Sequence, residues 1–261
     1  MSRPSQARGW LGGGPSFYES VGAGYTRTRK ADPRLEAAIH TALGDARTVV
    51  NVGAGAGAYE PRDREVVAVE PAAVMRAQRP TTAAPVIDAK AESLPFADGA
   101  FDASMAVLSD HHWADHERGI AELLRVARRR AVLFTWDPAR VLDAWLIRDY
   151  LPTFADLIPA GARLRDTARA MGDAEIRVVP IPHDCRDGFL HAFWRRPHAY
   201  LDPEVQGGIS VFARLDPAVV AEALERLRRD LHEGAWHGRN REILDLSELD
   251  LGYRLLIADL G

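Results

Sequence analysis

Cysteine is almost absent from this sequence. Cys185 is the single cysteine among 261 residues, so the chain can form neither an intramolecular disulfide nor a thiolate metal cluster. The composition is otherwise ordinary, with 47 % hydrophobic and 27 % charged residues. That balance excludes disordered, collagen-like and coiled-coil architectures, and a chain of this length can bury a sizeable core without metals or disulfides.

A long apolar run and an excess of basic charge are also missing. No segment approaches about 18 consecutive apolar residues, and residues 1–14 contain no stretch typical of a signal peptide. The formal net charge is −4, whereas proteins that bind nucleic acid normally carry a basic excess. Only two of the 33 basic residues are lysines, a usage typical of a high-GC genome, so arginine clusters indicate little about function. We therefore expect a cytoplasmic protein with neither a membrane nor a nucleic-acid partner, and the sequence leaves its oligomeric state open.

Short apolar strands alternate with amphipathic helices from about residue 32 onward. Asp32 and Pro33 are typical of a helix N-cap and first helical position, and Gly44 is typical of a helix end. Further helices are predicted after Pro71, over 120–127, within 141–170 and over 216–231. Apolar runs predict strands at 48–52, 65–70, 85–88, 101–108, 131–136, 175–181 and 253–257. This alternation predicts an α/β fold with a doubly wound, mostly parallel, seven-stranded sheet of Rossmann-like type.

We expect residues 1–261 to form a single domain with an elaborated second half. The predicted core is 32–181, preceded by an N-terminal lid segment at 1–31 and completed by a last strand within 251–261. Between the last two strands lie about seventy residues, too many for a simple connection. We interpret 182–250 as a helical cap over the sheet, inserted before the last strand and able to enclose a substrate.

A glycine-rich loop follows the first predicted strand. Gly53, Gly55 and Gly57 let the backbone approach a bound ligand closely, and the helix expected next would offer its N-terminal N–H groups. Glu70 ends the second predicted strand, where an acid can accept both hydroxyls of a ribose. Together these features predict a nucleoside-type site at the carboxyl edge of the sheet; the alternative is a glycine-rich turn that binds nothing.

The glycine loop alone leaves two nucleoside ligands open. The spacing Gly53-x-Gly55-x-x-Ala58 fits the dinucleotide fingerprint with its permitted terminal alanine. The spacing Gly53-x-Gly55-x-Gly57 equally fits the motif of methyltransferases that use S-adenosylmethionine (SAM). The downstream sequence separates the two.

Several motifs follow the loop in order and at compatible spacing. They are DAKAESLPF at 88–96, Asp98, the dipeptide FD at 101–102, a strand, and HHW at 111–113. This set closely resembles the class I SAM-dependent methyltransferases, in particular the small-molecule branch related to the ubiquinone/menaquinone C-methyltransferases. The resemblance covers roughly half the chain, from about Tyr18 to Trp136, and 137–261 contain no motif that names a substrate.

The resemblance implies SAM as the cofactor and a set of residues that would contact it. Gly53 and Gly55 would lie against its methionine part, and Glu70 would hold the ribose diol. The residues implied to surround the adenine are Pro71 and Met75 on its faces and Ala91 and Glu92 at its edge. The backbone of Ala106 and Val107, at the end of the fourth strand, would reach the methionyl group.

An N-terminal element and one departure complete the resemblance. Tyr18, Tyr25 and Arg29 match an element that covers the cofactor in similar proteins, and Arg29 would pair with the methionyl carboxylate. For Tyr18 and Tyr25 the alternative is core packing of a lid helix. The family commonly carries an aspartate two residues before the first glycine, whereas this sequence has Asn51, so another acid is expected to compensate or affinity to fall.

Candidate catalytic residues follow the fourth predicted strand. Methyl transfer from a sulfonium is an in-line displacement that needs alignment and exclusion of water, and a base helps when the acceptor is a hydroxyl or an acidic carbon. His111 and His112 are the candidates, each as base, as positioning group or as a structural residue. Trp113 is expected to line or pack the pocket, Asp110 to be solvated and His116 to be exposed.

No metal centre is expected. The run 183–185, His-Asp-Cys, has no second pair of ligands at a standard spacing, and Cys185 is expected to pack inside the cap. The sequence therefore favours an enzyme that transfers a methyl group from SAM to an O, N or C atom of a small-molecule acceptor. The alternatives are an NAD(P)-dependent oxidoreductase and a SAM-binding module without transferase activity.

Overall fold

A computed structural model describes residues 25–159 and 163–261, with Tyr25 described by its backbone alone. The strands in this part are β1 (Thr48–Val52), β2 (Glu65–Val69), β3 (Val86–Ile87), β4 (Phe101–Val107), β5 (Ala127–Trp136), β6 (Glu175–Val178), β7 (Ile181–Pro182), β8 (Glu248–Leu249) and β9 (Tyr253–Asp259). Seven of them form one sheet in the order β3-β2-β1-β4-β5-β9-β6, and β7 pairs with β8 alone. The first five strands of that order are parallel to their neighbours, whereas β9 runs antiparallel to both β5 and β6. The predicted mostly parallel, seven-stranded sheet is confirmed.

Helices cover both faces of the sheet. The α-helices are α1 (Tyr25–Thr28), α2 (Pro33–Ala42), α3 (Ala73–Arg76), α4 (His116–Arg125), α5 (Pro138–Asp143), α6 (Leu164–Ala170), α7 (Pro203–Gly207), α8 (Ser210–Arg214), α9 (Pro217–His232) and α10 (Ala235–Arg239). A π-helical turn spans Leu146–Tyr150, and 3-10 turns span Asp110–His112, Pro152–Leu157, Pro197–Leu201 and Arg241–Ile243. None of the helices described here is long and apolar enough to cross a membrane.

The core lies in two layers, one on each face of the sheet. On one face Leu35 and Ile39 of α2 pack with Val49 of β1. On the other face Ile120 and Leu123 of α4 pack in a cluster that contains residues of β1 and β4. A strand buried on both faces needs apolar residues along its whole length, which explains the nearly continuous apolar runs of the sequence.

The connection from β1 to β2 differs from the prediction. The helix expected after the glycine loop is absent, and 53–64 form a loop without regular structure. Four positive φ angles, at Gly53, Gly55, Gly57 and Tyr59, are incompatible with a right-handed helix. Pro61 follows, and a proline inside a helix removes a hydrogen bond and clashes with the preceding turn.

Two predicted elements are divided. The strand predicted at 175–181 is two strands, because Pro180 cannot donate to a ladder; β6 pairs with β9, and β7 pairs with β8. The helical stretch predicted within 141–170 is divided among α5, a π turn, a 3-10 turn and α6. The backbone turns extended at Ala144, and Pro152 starts the next turn.

The residues between β7 and β9 are mostly helical and pack on the segment that follows β5. Trp145 joins the two: its indole N–H donates to the Trp194 carbonyl over 2.9 Å, and its ring lies edge-on to Tyr200 and Trp236 at centroid distances of 5.6 and 5.2 Å. All four side chains are buried. The boundaries expected for the lid, core and cap remain a prediction.

Candidate functional site

A cavity of about 1010 Å³ opens where β1, β2 and β4 end. Ten of the residues predicted for the site line it: Arg29, Gly53, Gly55, Glu70, Pro71, Met75, Ala91, Glu92, Val107 and His112. Ala106 is fully buried inside β4 rather than on the wall, and His111 lines a neighbouring cavity. Tyr18 and the Tyr25 side chain lie outside the described residues. The sequence thus brings most of its candidates to one sheet edge.

The glycine loop is folded back onto β2. The N–H groups of Gly53 and Ala54 both donate to the Val69 carbonyl, over 2.9 and 3.0 Å. Gly53 has a φ of 70°, and a Cβ placed on it would lie 2.6 Å from Cβ of Ser109. No residue with a side chain fits there without a shift of the segment that follows β4.

Glu70 is held at the floor of the cavity by backbone donors. Its two carboxylate oxygens accept from the N–H groups of Gly55 and Ala72, each over 2.8 Å, and the residue is only 6 % exposed. Burial raises the pKa of Glu70, and the two N–H groups oppose that rise. Each oxygen retains lone-pair capacity for a further donor, which is what a ribose diol would need.

Glu60 is a functional candidate that the sequence did not reveal. Its carboxylate accepts from Nδ2 of Asn51 over 3.3 Å, from Nη2 of Arg79 over 2.7 and 2.9 Å, and from the N–H of Ala84 over 3.1 Å. The expectation that a helix follows the glycine loop hid this residue, because on a helix Glu60 would not face Asn51. A sequence signal existed: Pro61 directly after an acid that follows the glycines.

Asn51 therefore stands where a similar protein has an acid, with an acid behind it. Asn51 lines the cavity and is 1 % exposed, and its Oδ1 has no hydrogen-bond partner among the described residues. The amide orientation is dictated by Glu60, because the flipped amide would place Oδ1 against the carboxylate. Asn51 thus offers a fixed, unsatisfied acceptor to a ligand with N–H groups.

Arg29 lies where α1 meets the insertion. Its Nε donates to Oδ1 of Asp187 over 2.6 Å and its Nη2 to Oδ2 over 3.3 Å, and Asp187 is 1 % exposed. The Tyr59 hydroxyl donates to the same carboxylate over 2.9 Å. Asp187 is thus a partner that the sequence did not indicate, and pairing of Arg29 with a cofactor carboxylate stays a prediction.

Glu92 and Ala91 enter the cavity from the segment after β3. The Glu92 carboxylate accepts from the N–H groups of Ala114 and Asp115 over 2.5 and 3.2 Å, and Ala91 is buried. These bonds anchor the segment after Trp113, whose side chain also lines the cavity, as expected. Their predicted contact with an adenine edge stays a prediction.

The turn after β4 positions both candidate histidines. Leu108 adopts a φ of 50°, uncommon for a residue with a side chain and costly by roughly 1–2 kcal/mol. The Ser109 hydroxyl then donates to the Val52 carbonyl over 3.0 Å, which ties the turn to β1. The 3-10 turn that follows carries His111 and His112, whose ring centroids lie 4.0 Å apart.

Asp110 and His116 differ from the prediction. They were expected to be solvated and exposed, but Asp110 is fully buried and His116 is 8 % exposed. Nε2 of His116 lies 3.2 Å from Oδ2 of Asp110, and the hydrogen bonds of the adjacent histidines hold the pKa of Asp110 below its usual value although burial opposes this. A buried carboxylate keeps these two positions inside because it needs a partner there.

Each candidate histidine has a defined partner at Nδ1. The Trp136 indole N–H donates to Nδ1 of His111 over 3.3 Å, and Nη2 of Arg214 lies 3.1 Å from Nδ1 of His112. Oδ1 of Asp110 is 3.6 Å from Nδ1 of His111, beyond hydrogen-bond range. Burial lowers the pKa of His111, and burial together with His111 and Arg214 lowers the pKa of His112 well below its usual value.

A second, smaller cavity of about 60 Å³ adjoins the first. Three residues line both cavities: Arg29, Leu108 and His112. The remaining wall is largely apolar and aromatic, with Trp136, Phe154, Phe189 and Tyr253 among its residues. The arrangement is a large chamber at the sheet edge that leads past a histidine into a narrow aromatic one.

Metal and thiol chemistry find little support in the described ranges. No group of three or more His, Cys, Asp or Glu side chains in 25–159 and 163–261 is placed to hold a metal ion. Cys185 is buried, and burial raises the pKa of its thiol to about 12, so the reactive thiolate is scarce at neutral pH.

Comparison with known proteins gives a family and a close structural match. Residues 50–135 match the family model described as a methyltransferase domain. The crystal structure of a putative methyltransferase from an antibiotic biosynthesis pathway of Anabaena variabilis is 32 % identical, with a TM-score of 0.82, and the match covers 88 % of this chain and 98 % of that one.

Two further matches are more distant. An uncharacterized protein of Mycobacterium bovis is 30 % identical over 135 residues, which are 43 % of this chain and 48 % of that protein, so the chain spans about half the length of the curated relatives it matches. A SAM-dependent methyltransferase of Thermotoga maritima, described as a possible histamine N-methyltransferase, is 23 % identical with a TM-score of 0.51 over 63 % of this chain and 84 % of that one. At that identity the likeness concerns the fold alone.

Proposed function

The chain belongs to the SAM-dependent methyltransferases, and from this membership we propose that it transfers a methyl group from SAM to a small-molecule acceptor. One observation carries the proposal beyond the family: the glycine loop, Glu70 and the end of β4 border one chamber, which continues past His112 into a second cavity. Two joined cavities suit a reaction between two ligands, one in each.

The residues present fit the cofactor. A volume of about 1010 Å³ accommodates a nucleoside-sized ligand, since ligand sites commonly measure roughly 300–1,000 Å³. Glu70 would accept the ribose hydroxyls, Met75 and Pro71 would border the adenine, and Gly53 and Gly55 would allow close approach of the methionine part. When bound, SAM supplies a methyl group made electrophilic by its sulfonium.

Asn51 and Glu60 would hold the ammonium of the cofactor. The unsatisfied Oδ1 of Asn51 is a suitable acceptor for an ammonium N–H, and Glu60 fixes its orientation from behind. In this proposal the missing aspartate is replaced by an oriented amide, with the acid one step further from the ligand. The uncharged acceptor makes a weaker bond than a carboxylate would.

The acceptor would lie in the second cavity, with its reactive atom beside His112. Aromatic and apolar walls suit a small organic molecule and exclude water from the transfer path. The relative from Anabaena variabilis is described as acting in an antibiotic biosynthesis pathway, which is compatible with an acceptor of that kind. The ubiquinone/menaquinone branch stays a prediction from the sequence.

The test separates the proposal from its two alternatives. The purified protein is titrated with S-adenosylhomocysteine (SAH) and, separately, with NAD and NADP, while its unfolding temperature is followed; a ligand that binds the native state raises it. We expect SAH to stabilise the protein and both nicotinamide dinucleotides to leave it unchanged. Stabilisation by NAD or NADP alone would overturn the proposal in favour of an oxidoreductase.

A second measurement addresses transferase activity. The protein is incubated with methyl-tritiated SAM and a small-molecule extract, and the products are separated from the unreacted cofactor. We expect radioactivity in a product of low molecular mass, with no transfer by a Glu70→Ala variant assayed in parallel. Binding of SAH without transfer to any fraction would favour a SAM-binding module.

A further inference from the structure

The partners of His111 and His112 determine which ring nitrogen carries the proton. An indole N–H and a guanidinium are donors only and have no lone pair to accept with. Because Trp136 donates to Nδ1 of His111 and Arg214 to Nδ1 of His112, both Nδ1 atoms must be unprotonated acceptors. In the neutral rings the proton is then on Nε2.

This assignment removes His112 as a base. A base takes up a proton through a free lone pair, and the one lone pair of the neutral ring already accepts from Arg214. Protonation of Nδ1 would set two cations with opposed N–H groups against each other. The lowered pKa of His112 agrees with this geometry, since burial, His111 and Arg214 all disfavour the imidazolium, and the buried Asp110 only partly opposes them.

The charges around His112 are of one kind on the side of the shared wall. Arg29 lines both cavities with His112, and Arg214 bonds to its ring. Asp187 pairs with Arg29, and Asp110 lies behind the rings beside His116. A ligand that reaches the junction of the two cavities therefore meets N–H donors and guanidinium groups, a setting that favours oxygen lone pairs and negative charge.

Resting on the proposed methyl transfer, we infer that His112 is a neutral Nε2–H donor that binds an oxyanion of the acceptor, and that the acceptor is therefore an acidic hydroxyl compound, a phenol or enol, and not an amine. The hydroxyl proton leaves to water before transfer. A bond then forms between the methyl carbon and the acceptor oxygen, or the carbon conjugated with it, while the C–S bond breaks and its electron pair stays on sulfur. The aromatic walls of the second cavity suit a planar ring of this kind.

The proton position is measured first, without any acceptor. Long-range ¹H–¹⁵N correlation spectra of the SAH complex at pH 7 distinguish Nδ1–H, Nε2–H and imidazolium forms, and the His112→Gln variant assigns the signal. We expect the Nε2–H form of His112. A protonated Nδ1, in either the neutral or the charged ring, overturns the inference while leaving the proposed methyltransferase function intact.

The acceptor class is measured with an isosteric pair. Binding of 4-nitrophenol and of 4-nitroaniline to the SAH complex is followed by calorimetry in wild type, His112→Ala and His112→Gln. We expect 4-nitrophenol to bind at least about tenfold more tightly than 4-nitroaniline, a difference of about 1.4 kcal/mol. His112→Ala should abolish this preference, whereas the amide of His112→Gln, which can accept from Arg214 and donate to the ligand, should retain most of it.

The remaining outcomes are decisive as well. Equal affinity for the two probes, tighter binding of 4-nitroaniline, or no binding of 4-nitrophenol up to its solubility limit each overturns the inference. Equal loss in His112→Ala and His112→Gln also contradicts it, because only a base or a shape requirement treats the two variants alike. If SAH itself does not bind, the proposed function fails and not this inference alone.

Discussion

Arg79 and Glu60 form a buried ion pair beside the glycine loop. Nη2 of Arg79 lies 2.7 Å from Oε1 and 2.9 Å from Oε2 of Glu60, and the two side chains are 4 % and 6 % exposed. Nη1 of the same guanidinium donates to the Gly55 carbonyl over 3.2 Å. The pair thus fastens the loop 53–64, which lacks a helix of its own, to the segment after α3.

Removal of the cation should destabilise the protein strongly. The Arg79→Met variant leaves the Glu60 carboxylate buried with only Asn51 and Ala84 as donors, and breaking a buried pair in this way typically costs about 3–5 kcal/mol. We expect a fall of that size in the free energy of unfolding, measured by urea denaturation. The control is Arg129→Met, which removes an exposed pair with Asp45 and should leave the unfolding midpoint unchanged. Similar midpoints for the two variants would contradict the structural role of Glu60.

Glu70→Ala should weaken cofactor binding more than it weakens the fold. The variant removes the acceptor expected for the ribose diol, and a lost charge-assisted hydrogen bond is worth about 1.5–3 kcal/mol, or roughly ten- to a hundredfold in the Kd for SAH. Calorimetric titration with SAH measures the change. Glu222→Ala, an exposed position on α9, is the matched control and should bind SAH as the wild type does. An unchanged Kd in Glu70→Ala would remove Glu70 from the site.

Gly53→Ala should disable the site through sterics alone. A left-handed backbone costs a residue with a Cβ about 1–2 kcal/mol, and that Cβ would lie 2.6 Å from Ser109. We expect the loss of SAH binding together with a lower unfolding temperature. Gly207→Ala is the control, since a Cβ at that position of α7 meets nothing within 4 Å. Normal SAH affinity in Gly53→Ala would show that the loop does not need this turn.

The strands and the site edge follow from local sequence, whereas the partners of the site residues do not. The run at 48–52 becomes β1 with the predicted bounds, because a β-branched apolar segment has one stable environment, a sheet covered on both faces. Glu70 and the glycines are adjacent because the ends of neighbouring parallel strands meet. Asp187 is distant in sequence from Arg29 and Tyr59, and only the packing of the insertion brings them together.

Burial of polar residues also escapes local patterns. Asp110 and His116 sit in a polar stretch that is typical of an exposed turn, but the positive φ of Leu108 turns this stretch inward. The helix expected after Gly57 failed for a related reason. The motif indicates a strand and a ligand-binding turn, and it does not decide whether the next residues continue as a helix or, as at Tyr59 and Pro61, as a loop held by side chains.

His191 should make the protein sensitive to acid. It is 1 % exposed, neither ring nitrogen has a hydrogen-bond partner in the described residues, and burial lowers its pKa to about 3. In the unfolded chain its pKa returns to about 6.5, so between these two values the unfolded state binds more protons than the native state, and stability falls as the pH is lowered. Below about pH 6 this histidine should contribute a decrease of up to about 1.4 kcal/mol per pH unit. Urea denaturation at several pH values from 7 to 4 should show a shallower decline in His191→Leu, whereas His232→Gln, at an exposed position of α9, should follow the wild type. If His191→Leu and the wild type lose stability in parallel, another group governs the acid response, and the buried ring of His191 must find a partner when it is protonated.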